Sequence, residues 1–230
     1  MPSLHLLIKP ASSLCNMRCK YCFYSDVSSS REVKSYGMME NDTLETLVKR
    51  AFEYADESVG FAFQGGEPTL AGLAFYERLI ALEKKYNTKK IPVYNSIQTN
   101  GYAMDDSFAA FFAKHNFLGV LSLDGTKESH DALRVDAEGN GTFGRVLKTA
   151  ELFQRHGVQF NILCVVNNFV ARYPKEVYRQ LRRFGYIQFI PCIDPFTGKK
   201  ARFSLTQERY ASFLRKPLTC TMRTLWTVIM

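Results

Sequence analysis

The chain has 230 residues, 46% of them hydrophobic, and 30 basic against 22 acidic residues give it a formal net charge of +8. That is enough apolar material for one well-buried core, while no apolar run approaches the roughly 20 residues of a membrane-spanning helix. The densest basic groups, RQLRR at 179–183 and GKKAR at 198–202, are short and lack interleaved aromatics, which argues against nucleic-acid binding.

The N-terminal MPSLHLLIKPASS has no basic leader, and its apolar run is too short for a signal peptide, so a cytoplasmic protein is expected. LHLLIK at 4–9 predicts the first strand, and three cysteines, Cys15, Cys19 and Cys22, crowd the loop behind it. Leu44, Leu47, Val48, Ala51, Phe52 and Ala55 then form one apolar stripe at helical spacing, with Asp42 and Glu45 placed for a capping box. Strands follow at 59–63, 92–98, 118–123, 159–166 and 186–193, and helices at 73–86, 105–115, 143–156, 174–184 and 205–215. Gly157 and Gly185 are placed to end two of these helices, and Pro174 suits the first turn of its own.

Six strand–helix units predict an α/β fold with parallel strands joined by right-handed crossovers, either an open doubly wound sheet or a partial barrel. Ligands should bind at the C-terminal strand ends. Residues 1–216 are read as one domain. The last residues, PLTCTMRTLWTVIM at 217–230, abruptly lose the amphipathic pattern and read as an irregular tail, a truncated or frame-shifted end.

Three chemistries compete for the cysteine cluster. A structural zinc site closes with four protein ligands, commonly as two pairs, and no second pair or suitably spaced His follows. A redox dithiol would use Cys19 and Cys22 and leave Cys15 without a role. A cubane iron–sulfur cluster held by three thiolates keeps one iron open for a non-protein ligand, and this reading alone accounts for the number three.

The run CNMRCKYCFY, with GGEP, QTNG, SLDG and HDALR downstream, resembles the radical S-adenosylmethionine (SAM) superfamily, and within it the anaerobic sulfatase-maturating enzymes. The resemblance implies a partial (β/α)6 TIM-like barrel, a [4Fe-4S] cluster on Cys15, Cys19 and Cys22, and SAM chelating the open iron. It further implies that Gly65, Gly66 and Glu67 hold the SAM amino group, that Ser122 contacts SAM, and that Arg134 receives a SAM or substrate carboxylate. On the same resemblance Gln98, Thr99 and Asn100 would line the site, Tyr24, Gln64 and Gln98 would lie nearest the reacting centre, and the 191–196 segment with Ile193 would face the adenine.

The implied partners are a sulfatase peptide bearing Cys or Ser, oxidised to formylglycine, and reduced flavodoxin or ferredoxin as electron donor. The family's cysteine-rich C-terminal region has no counterpart in this sequence. The remaining alternatives are another peptide- or RNA-modifying radical SAM enzyme, or an inactive iron–sulfur fragment. Asp124 beside Gly125 reads as turn chemistry, Cys164 and Cys192 as buried small residues, and His5, His115, His130 and His156 as incidental.

Overall fold

The computed structural model describes residues 2–195 and 200–220, with side chains described as far as Arg215. Its centre is a six-stranded parallel sheet in the order β1-β2-β3-β4-β5-β6. The strands are β1 (Leu4–Ile8), β2 (Val59–Phe63), β3 (Val93–Thr99), β4 (Leu118–Ser122), β5 (Phe160–Val166) and β6 (Tyr186–Pro191). Each neighbouring pair is parallel, and β1 and β6 are the two edges, so the sheet is an open barrel of the partial TIM type.

Helices α1 (Phe23–Ser29), α2 (Asn41–Tyr54), α3 (Leu73–Tyr86), α4 (Asp106–Lys114), α5 (Lys127–Asp131), α6 (Phe143–His156), α7 (Pro174–Leu181) and α8 (Gln207–Cys220) complete the units. The short α1 was not predicted, because FYSDVSS carries no apolar stripe and buries no residue. Helix α8 carries its backbone through Cys220, four residues into the expected irregular tail, and 221–230 lie outside the described residues.

Strand alternation divides the side chains between two environments. Leu4, Leu6, Val59, Phe61, Phe63 and Ile97 pack outward against α2, α3 and α4 in one core, while Leu121, Ile162, Cys164, Val166 and Phe189 do so in a second core with α6 and α7. The inward residues alternate with them, and Leu7, Leu118 and Tyr186 remain 62%, 45% and 67% exposed. Burial is therefore nearly complete on the helix side and only partial on the inner face, where Leu163 and Ser122 are buried but the strand starts are open, because an open barrel does not fill its own interior.

The stripe of α2 is buried at Leu44, Val48, Ala51 and Phe52 as the spacing predicts. The capping box is not formed. Glu40 occupies the cap position without a side-chain bond, and Glu45 turns instead to Arg78, Lys85 and Tyr86 on α3, at 2.6, 2.7 and 2.6 Å. Three donors, two of them cationic, outcompete one backbone amide for that carboxylate. Gly157 ends α6 in the left-handed conformation, at φ 70° and ψ 24°. Gly185 adopts φ 88° and ψ −110° after a 3-10 turn over Arg182–Phe184, a conformation that only glycine tolerates.

Tyr76 on α3 lies fully buried among the rings of Phe63, Phe75, Phe108, Phe112 and Phe117, and its hydroxyl donates to Pro68 O at 2.8 Å. The core thus reaches directly into the turn that follows β2.

A second polar contact in this core destabilises it at high pH. Glu83 on α3 is buried and accepts from Asn95 Nδ2 at 2.9 Å, while Asn95 Oδ1 has no partner. Burial pushes the Glu83 carboxyl up to about 7 from 4.5. The folded state therefore holds its proton where the unfolded state has lost it, and stability falls as pH rises through that window. The full loss, reached above pH 7, is roughly 3 kcal/mol. Glu83→Gln removes the ionisation and can pair reciprocally with Asn95. It is expected to raise the melting temperature at pH 8 and to change it little at pH 4. Equal shifts at both pH values would refute this account.

Candidate active site

The cysteine loop begins where β1 ends and is held by backbone on two sides. Arg18 N donates to Val135 O and Lys20 N to Leu133 O, both at 2.8 Å, and Met17 bridges to Asp136. On the other side Glu67 N donates to Leu14 O at 2.8 Å. Cys22 sits at the cap of α1, which turns Cys19 and Cys22 toward the same space as Cys15. All three thiols line one cavity of about 190 Å³ at the C-terminal ends of the strands.

Burial pushes the Cys15 thiol up to about 11 and raises that of Cys19 as well. Thiols so placed are poor nucleophiles until a cation compensates the thiolate, which disfavours the dithiol reading. Among the described residues no three ligating side chains converge closely enough to share one metal ion. A cubane asks for a different arrangement, in which each thiolate serves its own iron.

The GG turn after β2 is shaped by the cysteine loop. Gly66 has φ +59°, and a Cβ there would lie 2.3 Å from Leu14 O and 2.9 Å from Ser12 O, so only glycine lets the two loops approach this closely. Gly65, at φ +102°, likewise leaves no room beside Lys9. Glu67 is 1% exposed and its carboxylate is already engaged. Oε1 accepts from Thr69 N, Thr69 Oγ1 and Thr99 Oγ1 at 3.1, 2.7 and 2.8 Å, and Oε2 from Asn100 N at 2.7 Å. The residue expected to hold a ligand amine therefore also fastens the end of β2 to the end of β3.

Asn100 shows the same double duty. Its amide donates to Asn16 Oδ1 at 2.8 Å and stands 3.6 Å from Cys15 Sγ, so it faces the cysteine loop. Thr99, expected as a liner, does line the cavity, but its hydroxyl is turned to Glu67.

At the end of β4, Ser122 lines the cavity and Asp124 is completely buried. The turn geometry there belongs to Gly125, at φ 68°. Asp124 Oδ1 instead accepts from Val165 N at 2.9 Å, and Oδ2 takes a very short hydrogen bond from the Tyr21 hydroxyl. Arg134, 5% exposed, donates through Nη1 to the same Tyr21 oxygen at 2.9 Å, while its Nε is buried without a partner. His130, read from sequence as incidental, is fully buried and accepts from Asp124 N at Nδ1, 3.1 Å away. Burial holds its pKa well below the ordinary imidazole value, so the ring is neutral and keeps that acceptor. Neither Asp124 nor His130 had a signal in the sequence, since both depend on contacts made across the barrel.

The rim is completed by β1, β2 and β6. Gln64 Nε2 donates to the Tyr24 hydroxyl at 2.9 Å, with Lys9 Nζ 4.7 Å above the Tyr24 ring, and Gln98 lines the wall beside them. Pro191, Cys192 and Ile193 line the opposite side, with Ile193 55% exposed; Phe196 lies outside the described residues. Cys164 is fully buried as expected, whereas Cys192 is only partly buried and faces the cavity, its thiol pushed up to about 12 by desolvation. Leu163, Val165 and Ile190 were missed as liners. Their signal was the inward alternation of β5 and β6 rather than any motif.

Every individually named candidate residue thus lines this one cavity, and of the 191–196 segment Pro191, Cys192 and Ile193 do. The contents fit an anionic, multi-iron group and an elongated polar ligand: three thiols, a glycine backbone bare of side chains, and a buried guanidinium with an unanswered donor. Residues 10–181 match the profile of the Radical SAM superfamily, and the chain belongs to it. The Cysteine-type anaerobic sulfatase-maturating enzyme of Clostridium novyi is 48% identical over 220 residues, covering 94% of this chain and 59% of that protein. The Serine-type anaerobic sulfatase-maturating enzyme of Klebsiella aerogenes is 32% identical over 215 residues, 91% of this chain and 52% of that one. A solved structure of native anSMEcpe with bound AdoMet and Kp18Cys peptide superposes with TM-score 0.88 at 47% identity, over 95% of this chain and 60% of that chain. The chain therefore spans about 60% of the length of the Clostridium relative. Among the described residues no helix is long and apolar enough to cross a membrane.

Proposed function

We propose that this chain is the radical-generating core of an enzyme resembling the Cys-type anaerobic sulfatase maturases, with residues 1–216 forming the functional domain. The observation that carries this reading is the convergence of Cys15, Cys19 and Cys22 with the Gly65–Gly66 backbone and Arg134 on one cavity at the C-terminal strand ends. Cys15, Cys19 and Cys22 hold a [4Fe-4S] cluster by their thiolates. When bound and reduced, that cluster supplies the electron that cleaves the carbon–sulfur bond of SAM to give a 5′-deoxyadenosyl radical.

The protein's own contribution is placement and exclusion of water. The Gly65–Gly66 backbone accepts the SAM amino end, with Glu67 behind it, and Arg134 presents a permanent charge to the carboxylate. Ser122 and Asn100 border the same group, and Ile193, just past β6, covers the base. Tyr24, Gln64 and Gln98 form the polar wall nearest a substrate side chain. The substrate is a sulfatase peptide, and its target residue is Cys rather than Ser, because identity is 48% to the cysteine-type relative against 32% to the serine-type one.

Reduced flavodoxin or ferredoxin supplies the electron, which places the protein in the reducing cytoplasm. Such an acidic carrier would approach the exposed Leu14, Arg18 and Lys20 beside the cysteines, where charge complementarity speeds encounter.

Anaerobic reconstitution with iron and sulfide is expected to load about four irons per chain. Addition of SAM should then perturb the cluster's EPR signal, and dithionite should release 5′-deoxyadenosine. Loading without any SAM effect would leave only an electron carrier and would overturn the reading.

A further inference from the structure

We propose that Asp124 is a positioning residue, whose carboxylate locks the Cys19–Cys22 segment and Arg134 into one unit at the cavity wall. This inference rests on the reading that SAM occupies the cavity with its carboxylate at Arg134.

Asp124 is 0% exposed, and both groups facing its oxygens are donors: Val165 N on β5 and the Tyr21 hydroxyl from the cysteine loop. A carboxylate is the only side-chain terminus of this size that accepts on both sides. Because the Tyr21 proton is committed to Asp124, the Tyr21 oxygen is left with its lone pairs free, and Arg134 Nη1 donates into it at 2.9 Å. No direct Asp124–Arg134 ion pair exists among the described residues, so the hydroxyl is the link.

Asp124 reaches the other end of Arg134 through its backbone. Asp124 N donates to His130 Nδ1 at 3.1 Å, which puts the ring proton on Nε2. Nε2 then donates to Thr142 Oγ1 at 3.0 Å, and Thr142 donates to Arg134 O at 3.0 Å. The guanidinium and the peptide of Arg134 are thus both tied to Asp124, two residues past the end of β4. The Arg134 Nε is buried without a protein acceptor, while the Arg134 side chain lines the cavity.

The consequence for the cysteines is direct. Tyr21 lies between Cys19 and Cys22, and among the described residues the loop is otherwise tied on this side by backbone bonds to 133–136 and by Lys20 Nζ, which donates to Ala132 O at 3.0 Å. Asp124→Asn offers one acceptor and one donor to two donors, so it must abandon either Val165 or Tyr21. Tyr21→Phe removes the same link from the other end and keeps the ring that packs edge-on against Phe203.

The test uses the cluster-loaded protein, its Asp124→Asn and Tyr21→Phe variants and the double variant. Binding of SAM and of decarboxylated SAM is measured by titration, and amide hydrogen exchange at 17–22 and 133–136 is followed in the cluster-free proteins. Each single variant is expected to weaken SAM by about 10- to 100-fold, the range seen when supporting residues behind a metal or ligand shell are removed. The decarboxylated analogue should lose far less, the double variant should lose little more than either single one, and both segments should exchange faster.

A loss equal for both ligands would mark a merely structural role and overturn the proposal. Wild-type discrimination or wild-type exchange rates in Tyr21→Phe would do the same, even if Asp124→Asn failed to fold. If the wild-type protein itself binds no SAM, the underlying reading falls, and the exchange rates still decide whether Asp124 tethers the loop.

Discussion

Replacing Cys15, Cys19 or Cys22 singly by Ala is expected to reduce 5′-deoxyadenosine formation to background and iron content to well below the about four per chain of a single cubane. The fold should survive each change. The three cysteines are only partly buried, α1 buries no residue, and the loop is held chiefly by backbone bonds to Glu67, Leu133 and Val135 and by the Tyr21 hydroxyl, with sulfur adding only the weak contacts of Met17 N and Asn100 Nδ2 to Cys15. Unfolding in urea should therefore differ little between the cluster-free variants and the cluster-free parent.

Two controls lie in the same molecule. Cys164→Ala changes the outward face of β5 in the second core, and Cys192→Ala changes the cavity rim. Both should retain a full cluster and measurable SAM cleavage, the first with a small loss of stability from the lost sulfur volume. Retention of cleavage in any of the first three, or loss of iron in either control, would put the ligand set elsewhere.

Glu67→Ala is expected to be the most destabilising single change at the site, by on the order of 3–5 kcal/mol. Removal of the carboxylate strands Thr69 N and Asn100 N and two hydroxyls in a place that is 1% exposed. An abandoned buried donor costs about 1–3 kcal/mol, and the two amides have no freedom to turn elsewhere. Glu67→Gln keeps one acceptor but sets an amide donor against either Thr69 or Asn100, so an intermediate loss is expected.

Urea denaturation of the cluster-free proteins measures both, free of any contribution from ligand binding. A loss below about 1 kcal/mol for the Ala variant would mean that the four contacts are worth no more than ordinary surface hydrogen bonds. Glu67 would then be chiefly a ligand residue, with little role as the fastener between β2 and β3.

The sequence was most informative where chemistry is local. Strand β2 and helices α3 and α6 lie where their apolar periodicity places them, because each buries one face against its neighbours and the pattern needs no distant partner. The three cysteines and the GG turn were legible as well, since thiol spacing and consecutive glycines have few other uses. The capping box of α2 failed because Glu45 found stronger partners on α3, 33 to 41 residues away. Helix α1 failed because its stability comes from the loop it follows.

What the sequence alone determined, then, is the order of six strand–helix units, the loops that carry reactive groups, and the clustering of three thiols in the first of them. Only the tertiary structure decided which polar residues are engaged by one another. Glu67, Asn100 and Arg134 each face the cavity and also hold a neighbouring loop, and Asp124 and His130, unremarkable in the sequence, hold Arg134 from behind. The physical reason is burial: away from water a donor or acceptor must find its complement in the fold, and that complement lies tens of residues away in the chain.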